Sequence, residues 1–340
     1  MNPAVDNRES RPLRLVVLVK QVPDTANVTG EAMKEDGTIN RAALPTVFNP
    51  EDLNALEEAL KLKDRHGGRV TVITMGPPAA VGVLRESLFR GADEVILLTD
   101  KAFAGADTLA TSYALAQAVK KAGAFDLVLC GRQAIDGDTA QVGPQTAEKL
   151  GVPQITCVSR IDEVDVGDGA ESGAAGDAPA PASDGGEAGD DVAPRGRVVA
   201  TRSVEGGFET LESELPALLT ITSEANEPRP PSVKLAMVYK DIAAEALPGY
   251  DDSYLDPEAD EAQVCMLDRG GRPVCRAKVV QWDHAVVDAE RDLVGLRGSP
   301  TRVKEIESVV LAQSEARMVE ATEDGIAELV HELIEEHILG

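Results

Sequence analysis

The sequence predicts a doubly wound α/β domain with a mostly parallel sheet, followed by an extended C-terminal arm that ends in a helix. Three observations carry this expectation. Short β-branched runs alternate with helical patterns between residues 13 and 160. The runs are continuously apolar rather than alternating, as strands covered on both faces must be. The segments between them place apolar residues three and four apart, the period of helices that bury one stripe.

Strands are expected at Leu15–Val19, Val70–Thr74, Glu94–Leu98, Asp126–Cys130 and Gln154–Val158. The helices between them are expected at Glu51–Arg65, Ala79–Arg90, Asp107–Lys121 and Thr139–Leu150. In the first helix Leu53, Leu56, Leu60 and Leu62 gather near one stripe, with Glu57, Glu58, Lys61 and Lys63 outside it. Arg197–Val204 resumes the strand pattern, Gly206–Gly207 suits a hairpin turn, and Leu215–Thr222 reads as a further buried strand. Asn226–Pro231 (NEPRPP) holds three prolines and must be extended or turned. Residues 249 to 303 are rich in turn formers. From Thr322 the pattern is helical, with Ile326, Leu329, Val330, Leu333, Ile334 and Ile338 at the 3/4 spacing. The chain therefore divides into a disordered N-terminus (1–12), an α/β domain (13–225), a loop and extended arm (226–303) and an acidic helical extension (304–340). An acidic insert, 163–196, interrupts the domain and is composed of Gly, Ala, Pro and Asp with almost nothing to bury.

The 340 residues include 33 basic and 59 acidic side chains, a net charge of −26. Ten acids and no base lie between Asp162 and Asp191, and ten acids with one Arg lie in Glu305–His337, so most of the charge belongs to two appendages. Such a balance opposes a nucleic-acid or anionic-lipid partner, which needs clustered Lys and Arg. One Trp, four Tyr and five Phe are too few for base-stacking platforms. The cysteines (Cys130, Cys157, Cys265, Cys275) form no C-x-x-C pair and read as buried free thiols. The histidines (His66, His284, His331, His337) form no zinc motif, so no metal is expected. No apolar run approaches the roughly 18 residues of a membrane span, and Met1–Arg14 lacks an apolar signal core. A soluble, cytoplasmic chain without membrane insertion is the expectation.

Ligands of an open parallel sheet bind beyond the carboxyl ends of the strands, where strand order reverses. Three segments compete for that place: Lys20–Thr25 (KQVPDT), Met75–Pro78 (MGPP) and Gly131–Gln145 (GRQAIDGDTAQVGPQ). In the last, Gly131 and Gly137 allow close backbone approach. Asp138 is expected as N-cap of the following helix, with Gln141 reaching back. The amides of that helix start suit a phosphate, and a tight turn without ligand is the alternative. There is no G-x-G-x-x-G after the first strand and no P-loop, which opposes an ordinary NAD dehydrogenase or a P-loop NTPase. No G-x-S-x-G elbow occurs. His284, beside Trp282 and Asp283, is either an acid/base group or a surface histidine of the arm.

Taken together, KQVPDT, NPEDLNALEEALKLKD (Asn49–Asp64), TMGPP (Thr74–Pro78), FAGADTLATSYALA (Phe103–Ala116) and GRQAIDGDTAQVGPQ resemble the β subunit of electron-transfer flavoproteins. ATRSVEGGFETLESELPALLT (Ala200–Thr220) is similar to that family's diagnostic pattern through Arg202, Glu205, Gly206, Gly207, Glu209, Leu211 and Pro216, and VGLRGSPT (Val294–Thr301) is also typical. The resemblance covers roughly residues 13 to 160 and 197 to 303. It implies an adenine-nucleotide-binding, Rossmann-like domain whose arm wraps an α subunit that carries a second FAD. The implied nucleotide site comprises Leu18, Asn49, Pro50, Met75, Gly131, Arg132, Ala134, Asp136, Gly137, Asp138, Thr139, Ala140, Gln141 and Val142. Of these, Asp138, Thr139 and Gln141 are expected at phosphate and ribose. Arg132 is either a cation near the flavin or a surface ion pair.

Within the family, one class holds AMP behind a loop more like DDDCNQTG. The loop DGDTAQVG (Asp136–Gly143), with FAGADT and GLRGSPT, resembles the class that holds FAD. That class takes hydride from NADH and bifurcates electrons. One goes to the α-subunit FAD and on to a dehydrogenase or quinone oxidoreductase, the other to a ferredoxin or flavodoxin. Two other readings stand beside it. One is a non-bifurcating carrier with structural AMP that serves acyl-CoA-type dehydrogenases, and the other is a non-redox adenine-nucleotide-binding regulatory subunit. Asn226–Met237 aligns with a recognition loop for partner dehydrogenases, with Val233 or Leu235 as its apolar anchor. Ser203 departs from the family, standing where Glu is frequent.

Overall fold

A computed structural model describes residues 11–24, 45–166, 196–242 and 279–301, with isolated positions at 266–267, 273–274 and between 319 and 331. The chain forms two compact units, one of Met1–Asn27 with Pro45–Lys304 and one of Val28–Leu44 with Glu305–Gly340. In the smaller unit, positions 325–327 and 329–331 are helical. Residues 1–10 and 167–195, where most of the expected disorder falls, lie outside the described residues.

The strands are β1 (Leu13–Leu18), β2 (Gln21–Pro23), β3 (Thr46–Phe48), β4 (Gly68–Met75), β5 (Glu94–Leu98), β6 (Leu127–Gly131), β7 (Gln154–Asp165), β8 (Arg197–Val204), β9 (Gly207–Glu214), β10 (Ala217–Ile221), β11 (Met266–Leu267), β12 (Pro273–Val274) and β13 (Val279–Trp282). The helices are α1 (Pro50–His66), α2 (Val81–Arg90), α3 (Thr108–Ala122), α4 (Val142–Leu150), α5 (Val233–Tyr239) and α6 (Gly295–Gly298). Nine strands form one sheet in the order β13-β5-β4-β1-β6-β10-β7-β8-β9. Pairing is parallel from β13 to β7 and antiparallel through β8 and β9. β2 and β3 form a separate antiparallel pair, as do β11 and β12.

Alternation along β1 sends side chains into two cores. Leu13, Leu15 and Val17 join Leu56 and Leu60 of α1 and Leu84 and Leu88 of α2. Val16 and Leu18 join Leu115 and Val119 of α3 and Ala147 of α4. Full burial of each such leucine or valine stabilises the fold by about 1.5–3 kcal/mol, so the doubly wound arrangement follows from strands that are apolar on both sides. Pro50 begins α1, where its missing N–H costs nothing, and Gly67 ends it at φ 69° with its N–H on the Lys63 carbonyl.

Four sequence expectations need correction. The helix expected from Thr139 starts at Val142, because Asp138 and Ala140 adopt φ 46° and 52°, which no helix interior admits. β7 runs on to Asp165, so the first residues assigned to the acidic insert are strand, zipped to β8 by Val164↔Val198 and Asp165↔Arg197. The segment read as a recognition loop carries a helix after its proline-rich start: Ser232 accepts the Leu235 N–H and caps α5. The arm also carries a strand, β13, which pairs with β5 (Val279↔Val95 to Trp282↔Leu98) and closes that edge of the sheet.

Candidate functional site

The site grows from the point where strand order reverses. β1 has β4 on one side and β6 on the other, with Leu18 level with Ile73 and with Cys130. The chain leaves β1 toward one neighbour and later returns to the other, which makes the carboxyl ends of β1 and β6 the switch point at which sheets of this kind offer a ligand crevice. Leu18, Met75 and Gly131 are thereby brought to one edge by three adjacent strands.

The first turn of α1 sets the path of the chain beyond β6. Asp52 accepts the N–H of Gly131 at 2.8 Å, Glu51 that of Gln133 at 3.0 Å and Asn49 that of Ile135 at 3.1 Å. Alternate amides of an extended segment thus descend one helical turn. The Asn49 amide group also donates to the Gln133 carbonyl at 2.9 Å. Asp52 takes the Lys20 N–H at 2.8 Å with its other oxygen, tying the exit of β1 to the exit of β6. Burial pushes the Asp52 carboxyl up to about 7, against the lowering effect of these donors. Burial, then the adjacent Asp52, push the Cys130 thiol well above its ordinary value. Asn49 and Pro50 therefore shape the loop: the Asn49 side chain is buried and spent on the protein, and Pro50 is exposed.

The rest of the loop is exposed from Asp136 to Gln141. Ala134 and Gly137 close a turn, with the Asp138 N–H on the Ala134 carbonyl at 2.9 Å, and the Gln133 amide group steadies the Asp138 carboxylate at 3.0 Å. Asp138 is consequently not a helix cap. α4 has no side-chain cap at all, and Gln141 instead accepts the Thr108 hydroxyl at 2.9 Å. Among the described residues, no protein group accepts a hydrogen bond from the N–H of Thr139, Ala140, Gln141, Val142 or Gly143. A left-handed Ala140 followed by a right-handed Gln141 turns neighbouring amides to one side, forming a nest of donors suited to an anion at the positive end of α4. Gly143 lets the helix approach the sheet: a Cβ there would lie 2.8 Å from Cys130 Sγ and from Thr220 Cγ2. This donor set fits the phosphates of a dinucleotide or of AMP.

Two cations flank the crevice, each already paired. Lys20 Nζ lies 2.7 Å from both Asp136 oxygens, and Arg132 lies 3.1 Å from Glu51. The structural roles of Lys20, Glu51, Asp52, Thr108 and Gln133 were not legible in advance, although Lys20 and Gln133 lie in two of the candidate segments. Except for Gln133, which meets Asp138, their partners stand far along the chain, and the acids after Asn49–Pro50 read as ordinary first-turn residues.

Val233 and Leu235 lie elsewhere. They sit on α5, held to the carboxyl end of α2 by the Ser232 N–H on the Phe89 carbonyl at 2.8 Å. Val233 is 79% exposed, whereas Leu235 packs against the first core. Arg229 fastens the preceding segment to α1 through Glu57 and Asp64 at 2.8 Å each. Ser203 donates to Glu224 at 3.1 Å. His284 pairs through Nδ1 with Asp100, joining the arm to the end of β5 rather than to the crevice. Cys130 is buried and Cys157 half-buried. Among the described residues no cluster of His, Cys, Asp or Glu could hold a metal ion, and no helix is long and apolar enough to cross a membrane.

Comparison with known proteins agrees with this architecture. A family described as electron transfer flavoprotein domain matches residues 36–175. The chain is 38% identical over 327 residues to the electron transfer flavoprotein subunit beta of Clostridium acetobutylicum, covering 96% of this chain and 100% of that one. It is 39% identical over 323 residues to Protein FixA of Azorhizobium caulinodans (93% and 92% covered). It is 38% identical over 292 residues to the caffeyl-CoA reductase-Etf complex subunit CarD of Acetobacterium woodii (86% of each). A doubly wound domain with an open anion nest at its switch point, matched along nearly its whole length by such relatives, belongs to the electron-transfer flavoprotein family as a β subunit.

Proposed function

We propose that this electron-transfer β subunit binds FAD in the crevice between β1 and β6 and forms the NADH-oxidising, electron-bifurcating half of an αβ heterodimer. The observation that carries the reading is the run of unpartnered amides from Thr139 to Gly143, within the DGDTAQVG loop. Bound FAD would supply hydride acceptance from NADH and one-electron delivery to two acceptors, the α-subunit FAD with its dehydrogenase or quinone oxidoreductase and a ferredoxin or flavodoxin. The chain's own part is to bind and orient. The nest takes the pyrophosphate, and the side chains of Asp138, Thr139 and Gln141 line its approach. Leu18, Met75 and Gly131 form the wall of the crevice. Arg132, held by Glu51, places a guanidinium beside it. Val233, exposed on α5, serves as apolar anchor for the partner dehydrogenase, with Leu235 packed on the core beneath it. The names FixA and CarD, the latter from a complex with a CoA-ester reductase, support a redox partner of this kind.

The test is the nucleotide released from the complex purified with its α subunit. About two FAD per heterodimer, no AMP, and bleaching of flavin absorbance by NADH are expected. One FAD with one AMP would replace the reading with a non-bifurcating carrier. A colourless complex retaining AMP or ATP would replace it with a non-redox regulatory subunit. Within the site, changing Asp138 and Thr139 together to Ala should lower β-site FAD and spare the α flavin.

A further inference from the structure

One buried carboxyl at the switch point is bonded wholly to the protein. Asp52 is 6% exposed, and both carboxyl oxygens are spent on backbone amides that leave two different strands, Lys20 and Gly131 at 2.8 Å each. The fit is close: a Cβ on Gly131 would lie 2.6 Å from Asp52 Oδ1. Its neighbours Glu51, on α1, and Asn49, just before it, carry the loop onward toward the nest.

Resting on the FAD reading above, we propose that Asp52 is the positioning residue of the nucleotide site: it fixes the exits of β1 and β6 around the crevice, and its charge sets the affinity for the anionic ligand.

The charged groups around it make that charge count. From the end of β1 comes Lys20, its ammonium held by Asp136. From α1 comes Glu51, paired with Arg132 of the loop. The loop also carries Asp138, held by the Gln133 amide group, and β6 contributes the Cys130 thiol, which burial keeps protonated. Each cation of this set is matched by a carboxylate, so an ionised Asp52 adds a negative charge to the wall of an anion site. Burial holds its carboxyl near 7, so both charge states are populated around neutrality.

The sign follows. A bound pyrophosphate favours the protonated carboxyl, so binding takes up a proton and affinity falls as pH rises through neutrality. A one-unit rise in the carboxyl's pKa on binding corresponds to about tenfold in affinity. FAD suits the measurement because its pyrophosphate has no group that titrates in this range.

The experiment uses the αβ complex depleted of its β flavin and titrated with FAD at about pH 6 and about pH 8, a range centred on the carboxyl. The α flavin is the internal reference. Wild type should bind about fivefold to tenfold more weakly at the higher pH, with proton uptake read by calorimetry in two buffers of different ionisation enthalpy. Asp52→Asn turns an amide N–H against one of the two backbone donors, and should bind more weakly at the lower pH with a flat profile. A merely structural role would lower the melting temperature of the variant and leave its pH slope intact, and that result overturns the proposal. So does a flat wild-type profile without proton uptake, a measurement that stands if the variant fails to fold. A wild-type complex that takes no FAD into the β site at any pH overturns the FAD reading as well, and is distinguished by its stoichiometry.

Discussion

Thr301 gives both its hydroxyl, at 2.7 Å, and its backbone N–H, at 3.1 Å, to one carboxylate oxygen of Asp107. The other oxygen caps α3, accepting the N–H groups of Leu109 and Ala110 at 3.0 Å. Ser299 completes the joint by accepting the Asp107 N–H at 2.8 Å. A single side chain therefore starts a helix and fastens the arm to it, one residue before Thr108 reaches Gln141 of the nest.

Replacing Asp107 with Ala should cost more than a lost cap. The cap is worth about 1 kcal/mol and the Thr301 bonds a similar amount, so about 2 kcal/mol of stability should disappear in urea denaturation. Burial alone would raise this carboxyl, but the bonds from Ala110, Thr301 and Leu109 outweigh it and hold it below the ordinary range. Its contribution is then complete at neutral pH and lost as pH falls through that lowered value. Thr301→Val, which spares the cap, should cost about half as much. Equal losses would show that the two roles are not separable.

Gly131 and Gly143 should tolerate no side chain. Alanine at 131 would meet Asp52 Oδ1 at 2.6 Å and its backbone N at 2.8 Å, and alanine at 143 would meet Cys130 and Thr220 at 2.8 Å. Overpacking of this kind costs about 1–3 kcal/mol, and either change should also displace the nest. A variant with wild-type melting temperature and full nucleotide content would contradict the close approach.

Asp126 should govern the acid limb of stability. It is 1% exposed, bonded by Arg11 at 2.6 and 2.9 Å and by the Arg14 N–H at 2.7 Å. Burial raises its carboxyl, yet the Arg11 bonds, the Arg14 N–H and both guanidinium charges together lower it. The unfolded carboxyl titrates near 3.8 and the folded one below it, so the stabilisation exists above that range and is lost as pH falls through the folded value. Asp126→Asn should therefore cost about 2–3 kcal/mol at neutral pH. The gap to wild type should narrow steadily in acid; a gap that is constant with pH would refute the assignment.

Ala140 holds φ 52° without being glycine. The left-handed conformation costs an alanine roughly 1 kcal/mol, part of which glycine returns as unfolded-state entropy. Ala140→Gly should raise the stability of the nucleotide-free protein by about 0.5 kcal/mol. A lower melting temperature would argue against this loop geometry.

Much of the fold could be read in advance, and for a physical reason. Strands such as Glu94–Leu98 and helices such as α1 are specified locally by apolar run and period. β13 could not be read, because four residues of an arm acquire a strand's identity only by pairing with β5. The start of α4 was displaced by three residues because nothing in Asp138 or Ala140 announces a positive φ. In the candidate site, the loop after β6 was singled out through Gly131 and Gly137. The right roles were not: Asn49 looked like a ligand contact and is a strut, and Asp138 looked like a cap and is held away from the helix by Gln133. Such assignments depend on which distant amide a side chain meets, and spacing along the chain carries no record of it.

The pairing of β13 with β5 also has a consequence for how this protein is made. Residues 94–98 emerge from the ribosome long before residues 279–282, which cover their open edge. At roughly 5–20 residues per second, the interval is about ten to forty seconds. Throughout that time the nascent sheet ends in an unpaired strand that is apolar from Val95 to Leu98, a template for wrong partners. The arm is thus the closing stitch of the β subunit's own sheet, and a chain cut short anywhere in the arm before Val279 would leave the ribosome with that edge still exposed.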